Sequence, residues 1–327
     1  MKKYFLSFLI FLVPFNLGAQ TYEMRVLKEG TVLFAQDISS IDSIIFVEIE
    51  STSIINEYGV LNGVFSVGSN KKVRFSRGNL QYQASSATWR FAEHQYDYVG
   101  AYKNGTVYVD DVKSTNTKIS STYSGWIDLF GWGTSGYKGC SPYLSVFNTG
   151  IYGNPGTNYV DLTGTNYDWG QYCIISNASD TSGLWHTMTT EEWTYLFHTR
   201  GNANYLRGFA SIDGNNGYVI LPDNWTAIAT PAFIPSANDY TTNVYTIEEW
   251  QVLENAGAIF LPAAGFRWET DVTVVNSAGY YWSATANVEA SADRVKITTS
   301  NGINVADYAM RNSGQAVRLV QFVNNEE

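Results

Sequence analysis

Residues able to do chemistry are sparse in this chain, and their spacing restricts what they can do. There are three histidines, His94, His186 and His198. Only Glu93-His94-Gln95-Tyr96-Asp97 sets a histidine among carboxylates. That run reads as a turn, and a zinc site needs more ligands than it offers, so no metal is expected. No Gly-x-Ser-x-Gly elbow, phosphate-binding loop or dinucleotide fingerprint occurs. Glycoside hydrolysis takes two carboxylates roughly 5 to 10 Å apart, and Glu191-Glu192 and Glu248-Glu249 are the adjacent pairs that invite that reading. Both pairs fall at the second and third positions of helices, where carboxylates cap free amides and oppose the helix dipole. No catalytic residue is assigned, and the expectation is a protein that is not an enzyme.

The elements that carry these residues can be read locally. Thr189 followed by Glu192 makes a capping box, with Met188 placed to staple onto Trp193. Trp193, Leu196 and Phe197 then share a helical face that Gly201 ends. Thr246, Glu249, Tyr245, Trp250 and Gly257 repeat the device. Apolar runs ending in Leu-Pro follow each helix, at 219–222 and 259–262. Short strands are expected at 64–67, 72–75, 79–82 and 89–91, and again from Tyr280 onward. In the last stretch Val295 and Ile297 alternate on one face, and Asn301-Gly302 signals a hairpin into Ile303-Asn304-Val305. Strands with two helices set before the final group make this an α+β chain of mainly antiparallel strands.

Bulk properties set the compartment. Lys2 and Lys3, the apolar run from Tyr4 to Phe15 and the small residues Gly18-Ala19 have the layout of a signal peptide over residues 1–20. The expected location is therefore the periplasm, the cell surface or the medium, with no membrane span in the mature chain. Residues 21–50 read as a small β unit, with strands at 23–27, 31–34 and 44–47, and 51–57 as a linker. The main domain is assigned to 58–327. With 30 acidic and 20 basic residues the net charge is −10, and losing Lys2 and Lys3 takes it to −12. Such a chain repels phosphate backbones, so nucleic acid is not an expected partner. Charged residues are only 15% and aromatics reach 15%, a balance compatible with contact to neutral polar ligands. Cys140 and Cys173 would meet an oxidising compartment, where a disulfide between them is expected against the alternative of two thiols.

Trp185-His186-Thr187-Met188-Thr189-Thr190-Glu191-Glu192-Trp193-Thr194-Tyr195-Leu196 resembles the Glu-x-Glu-Trp helix of the formylglycine-generating (sulfatase-modifying factor) enzymes. Leu261-Pro262-Ala263-Ala264-Gly265-Phe266-Arg267, Gly279-Tyr280-Tyr281-Trp282-Ser283 and Val317-Arg318-Leu319-Val320 are more similar to a secreted bacterial group of the same C-type lectin-like fold. Phe75 to Tyr82, Trp89 to Ala92 and Gly125 to Gly133 match that group too, so the resemblance covers residues 60–321. The enzymes work through cysteines downstream of the helix, and no cysteine follows Cys173; the resemblance therefore implies the fold without the activity. The sugar-binding motifs of calcium-dependent lectins are also missing, so no cofactor is assigned and calcium, though compatible with the fold, is not expected.

Other proteins of that fold display ligand contacts on their C-terminal strands, and the segment from Tyr280 to Arg311 occupies the matching place. The resemblance thus implies a ligand surface of Tyr281, Trp282, Thr285, Asn287, Asn304, Tyr308 and Arg311, with rings for stacking and amides for orientation. The leading expectation is an exported binding protein for a glycan or an extracellular protein. The alternatives are a structural or fimbrial envelope subunit, and a hydrolase or oxidase on a lectin-like fold.

Overall fold

The computed structural model describes residues 23–28, 31–37, 59–99, 102–103, 106–107, 120–142, 160–178, 181–268, 271–288 and 290–323. The proposed leader, the 44–47 strand and the linker lie outside these. The chain divides into two units, Met1–Thr52 and Ser53–Glu327. In the first, strands Glu23–Lys28 and Thr31–Asp37 pair antiparallel, with Val26 opposite Phe34.

The second unit is mixed α and β, mostly antiparallel sheets with a few short helices. Its two ends meet in one sheet, ordered His186–Thr187, Leu319–Phe322, Lys71–Phe75, Phe65–Gly68. Val320 faces Phe75, and Phe65 faces Val73. A second sheet runs Val244–Tyr245, Arg207–Ile212, Asn215–Ile220, Ile259–Pro262. Its central hairpin turns on Asp213-Gly214, both at positive φ, the left-handed pair that a two-residue hairpin favours. A third, three-stranded sheet is the C-terminal meander Ala278–Ala286, Ser291–Thr298, Gly302–Met310. The hairpin expected at Asn301-Gly302 is its second turn, with Thr298 opposite Gly302.

Among the described residues there are three short α-helices: α1 (Trp169–Tyr172), α2 (Thr190–Thr194) and α3 (Ile247–Asn255). Both anticipated capping boxes form. Thr189 Oγ1 accepts from the Glu192 amide while Glu192 Oε2 accepts from the Thr189 amide, and Thr246 and Glu249 do the same. The first of these helices is shorter than its sequence pattern suggests. After Thr194 it widens into a π turn, Tyr195–Thr199, closed by the Arg200 amide on Tyr195 O. Trp193, Leu196 and Phe197 are nonetheless all buried, because the widened turn keeps them on the core side.

Among the described residues the core of this unit comprises three clusters, and the meander lies between two of them. Tyr281, Val295, Ile297 and Val305 belong to the first, while Trp282, Ala284 and Ala292 belong to the second. Successive residues of a strand point to opposite faces, so a sheet covered on both sides buries neighbours in sequence. The run from Gly125 to Gly170, which shows little regular pattern, supplies that second cover through Ile127, Phe130, Trp132, Leu162 and Trp169. No described helix is long and apolar enough to cross a membrane.

One turn beside the meander gives a stability prediction. Gly265 sits at φ +71, and a Cβ there would run into the backbone oxygen of Thr273. Neither the positive φ nor a backbone atom yields easily, so Gly265→Ala is expected to destabilise the unit by about 1–3 kcal/mol. A urea midpoint shift at unchanged slope is the check.

Candidate functional site

The meander ends in a polar junction with the start of α2. Ser291–Thr298 pairs with Gly302–Met310, but the register shifts between Arg294 and Lys296. Lys296 faces Asn304, whereas Arg294 faces Asp307 and Asp293 faces Tyr308. This bulge adds one residue to the edge strand and reverses its alternation beyond that point. Tyr308 and Met310 therefore share a face with Asp293 and Ser291. Asn304 lies on the other face, beside Lys296.

Asp293 is the centre of the junction. It is buried, and its two oxygens take different partners: Oδ1 accepts from Asn287 Nδ2 at 2.6 Å, and Oδ2 accepts from Thr190 Oγ1 at 2.9 Å. Thr190 Oγ1 also lies 2.9 Å from Ser283 Oγ, which accepts from the Thr285 amide at 3.0 Å. A hydroxyl has one proton to give. With the Thr190 proton on Asp293, Ser283 must donate to Thr190, and the chain of hydroxyls has a fixed direction. The Thr190 amide, one of the amides a helix start leaves without a helical partner, donates to Thr285 Oγ1 at 3.0 Å. The Thr285 hydroxyl proton then points away from the helix.

The outward groups over Asp293 are neutral, with one exposed carboxylate beside them, Asp161, whose Oδ1 accepts from the Ala286 amide at 2.8 Å. Asn287 is exposed and spends one amide proton on Asp293, leaving its second proton and its Oδ1 atom toward solvent. Tyr308 is 61% exposed, and Val288 and Met310, which flank the same end of the meander, are 53% and 40% exposed. The floor is hydrogen-bonded and buried; the rim offers one aromatic ring, two apolar side chains and amide and hydroxyl groups. Such a surface can stack against an apolar face and orient hydroxyls. Among the described residues no group of three or more His, Cys, Asp and Glu side chains is placed to hold a metal.

Of the seven residues expected to contact ligand, the structure brings Thr285, Asn287 and Tyr308 together here and corrects the placement of the rest. Tyr281 and Trp282 are core residues, 0% and 1% exposed. The Tyr281 hydroxyl donates to Pro262 O at 2.7 Å, and burial raises it above the usual tyrosine range. Trp282 Nε1 donates to Phe130 O, while Trp132 Nε1 donates back to Ser283 O, each at 2.7 Å. Arg311 is buried as well: its guanidinium lies 4.5 Å over the Trp132 ring and its Nε donates to Ser291 O. Asn304 is exposed but faces away from the junction, with its Oδ1 accepting from the Ala306 amide. Thr190, Ser283 and Asp293 are members that the sequence did not announce. Thr190 lies 103 residues from Asp293, and no local pattern links them.

The expected disulfide is also corrected. Cys140 and Cys173 are both buried in the second cluster and no bond joins them. The Cys173 thiol donates to Ser135 O at 3.4 Å, and burial raises it well above the usual range.

Three further titratable groups stand close behind the junction. Asp168 caps α1 and is fully buried, accepting from the Gly170 amide and from the amide and hydroxyl of Thr187. Burial raises it to about 6 against the pull of those bonds. His186 stacks on Phe322 with ring centres 4.0 Å apart, and burial, then the Lys71 charge, lower it to about 4. Glu192 is raised, again chiefly by burial. In comparisons with known proteins, no family model matches the chain, and neither a curated protein nor a solved structure does.

Proposed function

We propose that this chain is an exported binding protein of C-type lectin-like fold, without catalytic activity, that recognises a glycan at the end of its C-terminal meander. The observation that carries the reading is the neutral rim of Thr285, Asn287 and Tyr308 held over the Asp293 network. A sugar presents an apolar face edged with hydroxyls. Tyr308 supplies the surface for the first, and the outward groups of Asn287 and Thr285 suit the second. The preset floor adds affinity, because groups already held in place lose little freedom on binding. The α+β architecture and the formed capping boxes support the fold assignment. The first twenty residues support export.

The test is an array of host and microbial glycans probed with the mature chain, with and without calcium. Saturable binding that falls at least about tenfold in Tyr308→Ala and in Asn287→Ala, roughly 1.4 kcal/mol or more each, is the expected result. Binding unaffected by both substitutions would move the site elsewhere. No glycan binding would leave an extracellular protein as the partner class to pursue.

A further inference from the structure

His186 reaches the junction without being part of it. It lies on the two-residue strand His186–Thr187, four residues before Thr190 begins α2. Its buried Nε2 makes no hydrogen bond and sits 3.8 Å from Glu192 Oε2. That same oxygen accepts the Thr189 amide at 3.0 Å, the returning half of the capping box. The next residue, Thr190, spans the junction, with its amide on Thr285 and its hydroxyl on Asp293. One carboxylate oxygen thus stands between a helix cap and an imidazole nitrogen without a partner, and a proton placed on either of the two makes one a donor to the other.

We propose that a proton taken up by the Glu192–His186 pair draws Glu192 Oε2 off the Thr189 amide and onto His186 Nε2, loosens the first turn of α2 and withdraws Thr190 from Asp293 and Thr285, so that acid weakens ligand binding at the junction. This rests on the reading of the junction as a ligand site. A charge-assisted bond is shorter and stronger than a neutral one, and 3.8 Å is wider than a formed bond needs, so closing the gap means moving the carboxylate or the ring. The ring is stacked on Phe322; the carboxylate, at the end of a longer side chain, is the freer of the two.

The charged groups around His186 determine where the change falls. From α2, Glu192 is raised by burial while His186 is lowered, so the pair begins its proton uptake on the carboxyl. From the strand Lys71–Phe75, the Lys71 ammonium opposes it while lying 3.8 Å from Glu192 Oε1. Asp168, at the start of α1, holds the Thr187 amide and hydroxyl next along the strand. The paired strand Leu319–Phe322 brings no charge. Lys71 lowers both partners and so holds their proton uptake in acid, and removing Lys71 should raise its midpoint.

The experiment is an NMR titration of the mature chain without ligand, following the His186 ring and the Thr190 amide in wild type, His186→Phe and Lys71→Met. The expected result is a Thr190 shift that tracks the His186 ring, moves to higher pH in Lys71→Met and shrinks in His186→Phe, where Glu192 has no ring nitrogen to bond. A Thr190 amide that stays still while His186 titrates, or that shifts unchanged in His186→Phe, overturns the proposal. So does a His186 ring that fails to titrate in both wild type and Lys71→Met. Because no ligand is present, the outcome is independent of the glycan array. A tracking Thr190 with no glycan bound sinks only the ligand reading; a bound glycan with an unmoved Thr190 sinks only the switch. Where a glycan binds, its affinity is expected to fall several-fold across the same range in wild type and to fall less in His186→Phe.

Discussion

Trp282→Ala is expected to destabilise the main unit by about 3–5 kcal/mol, while Tyr308→Ala leaves stability within about 0.5 kcal/mol of wild type. Both are aromatic residues of the same meander, and both look in sequence like contact residues. Their surroundings differ. Trp282 is 1% exposed, packed in the second cluster, and its indole N–H is bonded to Phe130 O. Truncation removes a large buried side chain and leaves a cavity, so transfer and cavity penalties add, while the Phe130 carbonyl loses one of two donors and keeps the Gln315 amide. Tyr308 is mostly in water already, and losing it leaves no hole. Urea and thermal unfolding of the two variants check this directly, with a fall in melting temperature on the order of 10 °C for the first. A Trp282→Ala chain as stable as wild type would mean that the loop carrying Phe130 and Trp132 does not cover the meander.

Asp168→Asn is expected to gain on wild type by roughly 3 kcal/mol between pH 4 and pH 7, on top of any pH-independent offset from the altered hydrogen bonds. Asp168 is raised from 3.8 to about 6, chiefly by burial. The folded chain therefore binds more protons than the unfolded chain between these values. The stability it contributes is present below pH 4 and lost as pH rises through 6, and each tenfold difference in proton affinity between the folded and unfolded chains is worth about 1.4 kcal/mol. The amide does not titrate, so the variant lacks this loss. Glu192, also raised by burial, acts with the same sign. His186 acts with the opposite sign. Lowered from 6.5 to about 4, it leaves the unfolded chain binding more protons in that interval, so its contribution is intact above pH 6.5 and lost as pH falls. The wild-type curve should accordingly be flatter than either group alone would make it. Urea unfolding of wild type and Asp168→Asn at pH 4, 5, 6 and 7 tests the difference; parallel curves would show that Asp168 is not desolvated in the folded chain.

How much of this was legible in sequence follows from the range of each interaction. A capping box is complete within four residues, and Thr189–Glu192 and Thr246–Glu249 were readable because nothing outside those windows is needed to form them. The Asn301-Gly302 hairpin and the alternation of Val295 and Ile297 are equally local. The π turn after Thr194 was not readable, since Tyr195 to Thr199 suits an α-helix just as well and the widening is tied to tertiary contacts of Arg200 with Leu206 O and Asp223.

By itself, then, the sequence determined the α+β class, the two capped helices, the antiparallel run at the C-terminus and three of the six residues at the junction. Tertiary structure alone decided which side of the meander meets water. Strand periodicity separates two faces but does not say whether one or both will be covered. Here the second cover comes from Phe130 and Trp132, about 150 residues away in the chain, and it converts Tyr281 and Trp282 from candidate contacts into core. The bulge between Arg294 and Lys296 then parts Asn304 from Tyr308, because a single added residue exchanges the faces of everything after it. Asp293 became the centre of the site for the same reason: a carboxylate in a strand acquires a role only when a distant helix start arrives to bond it.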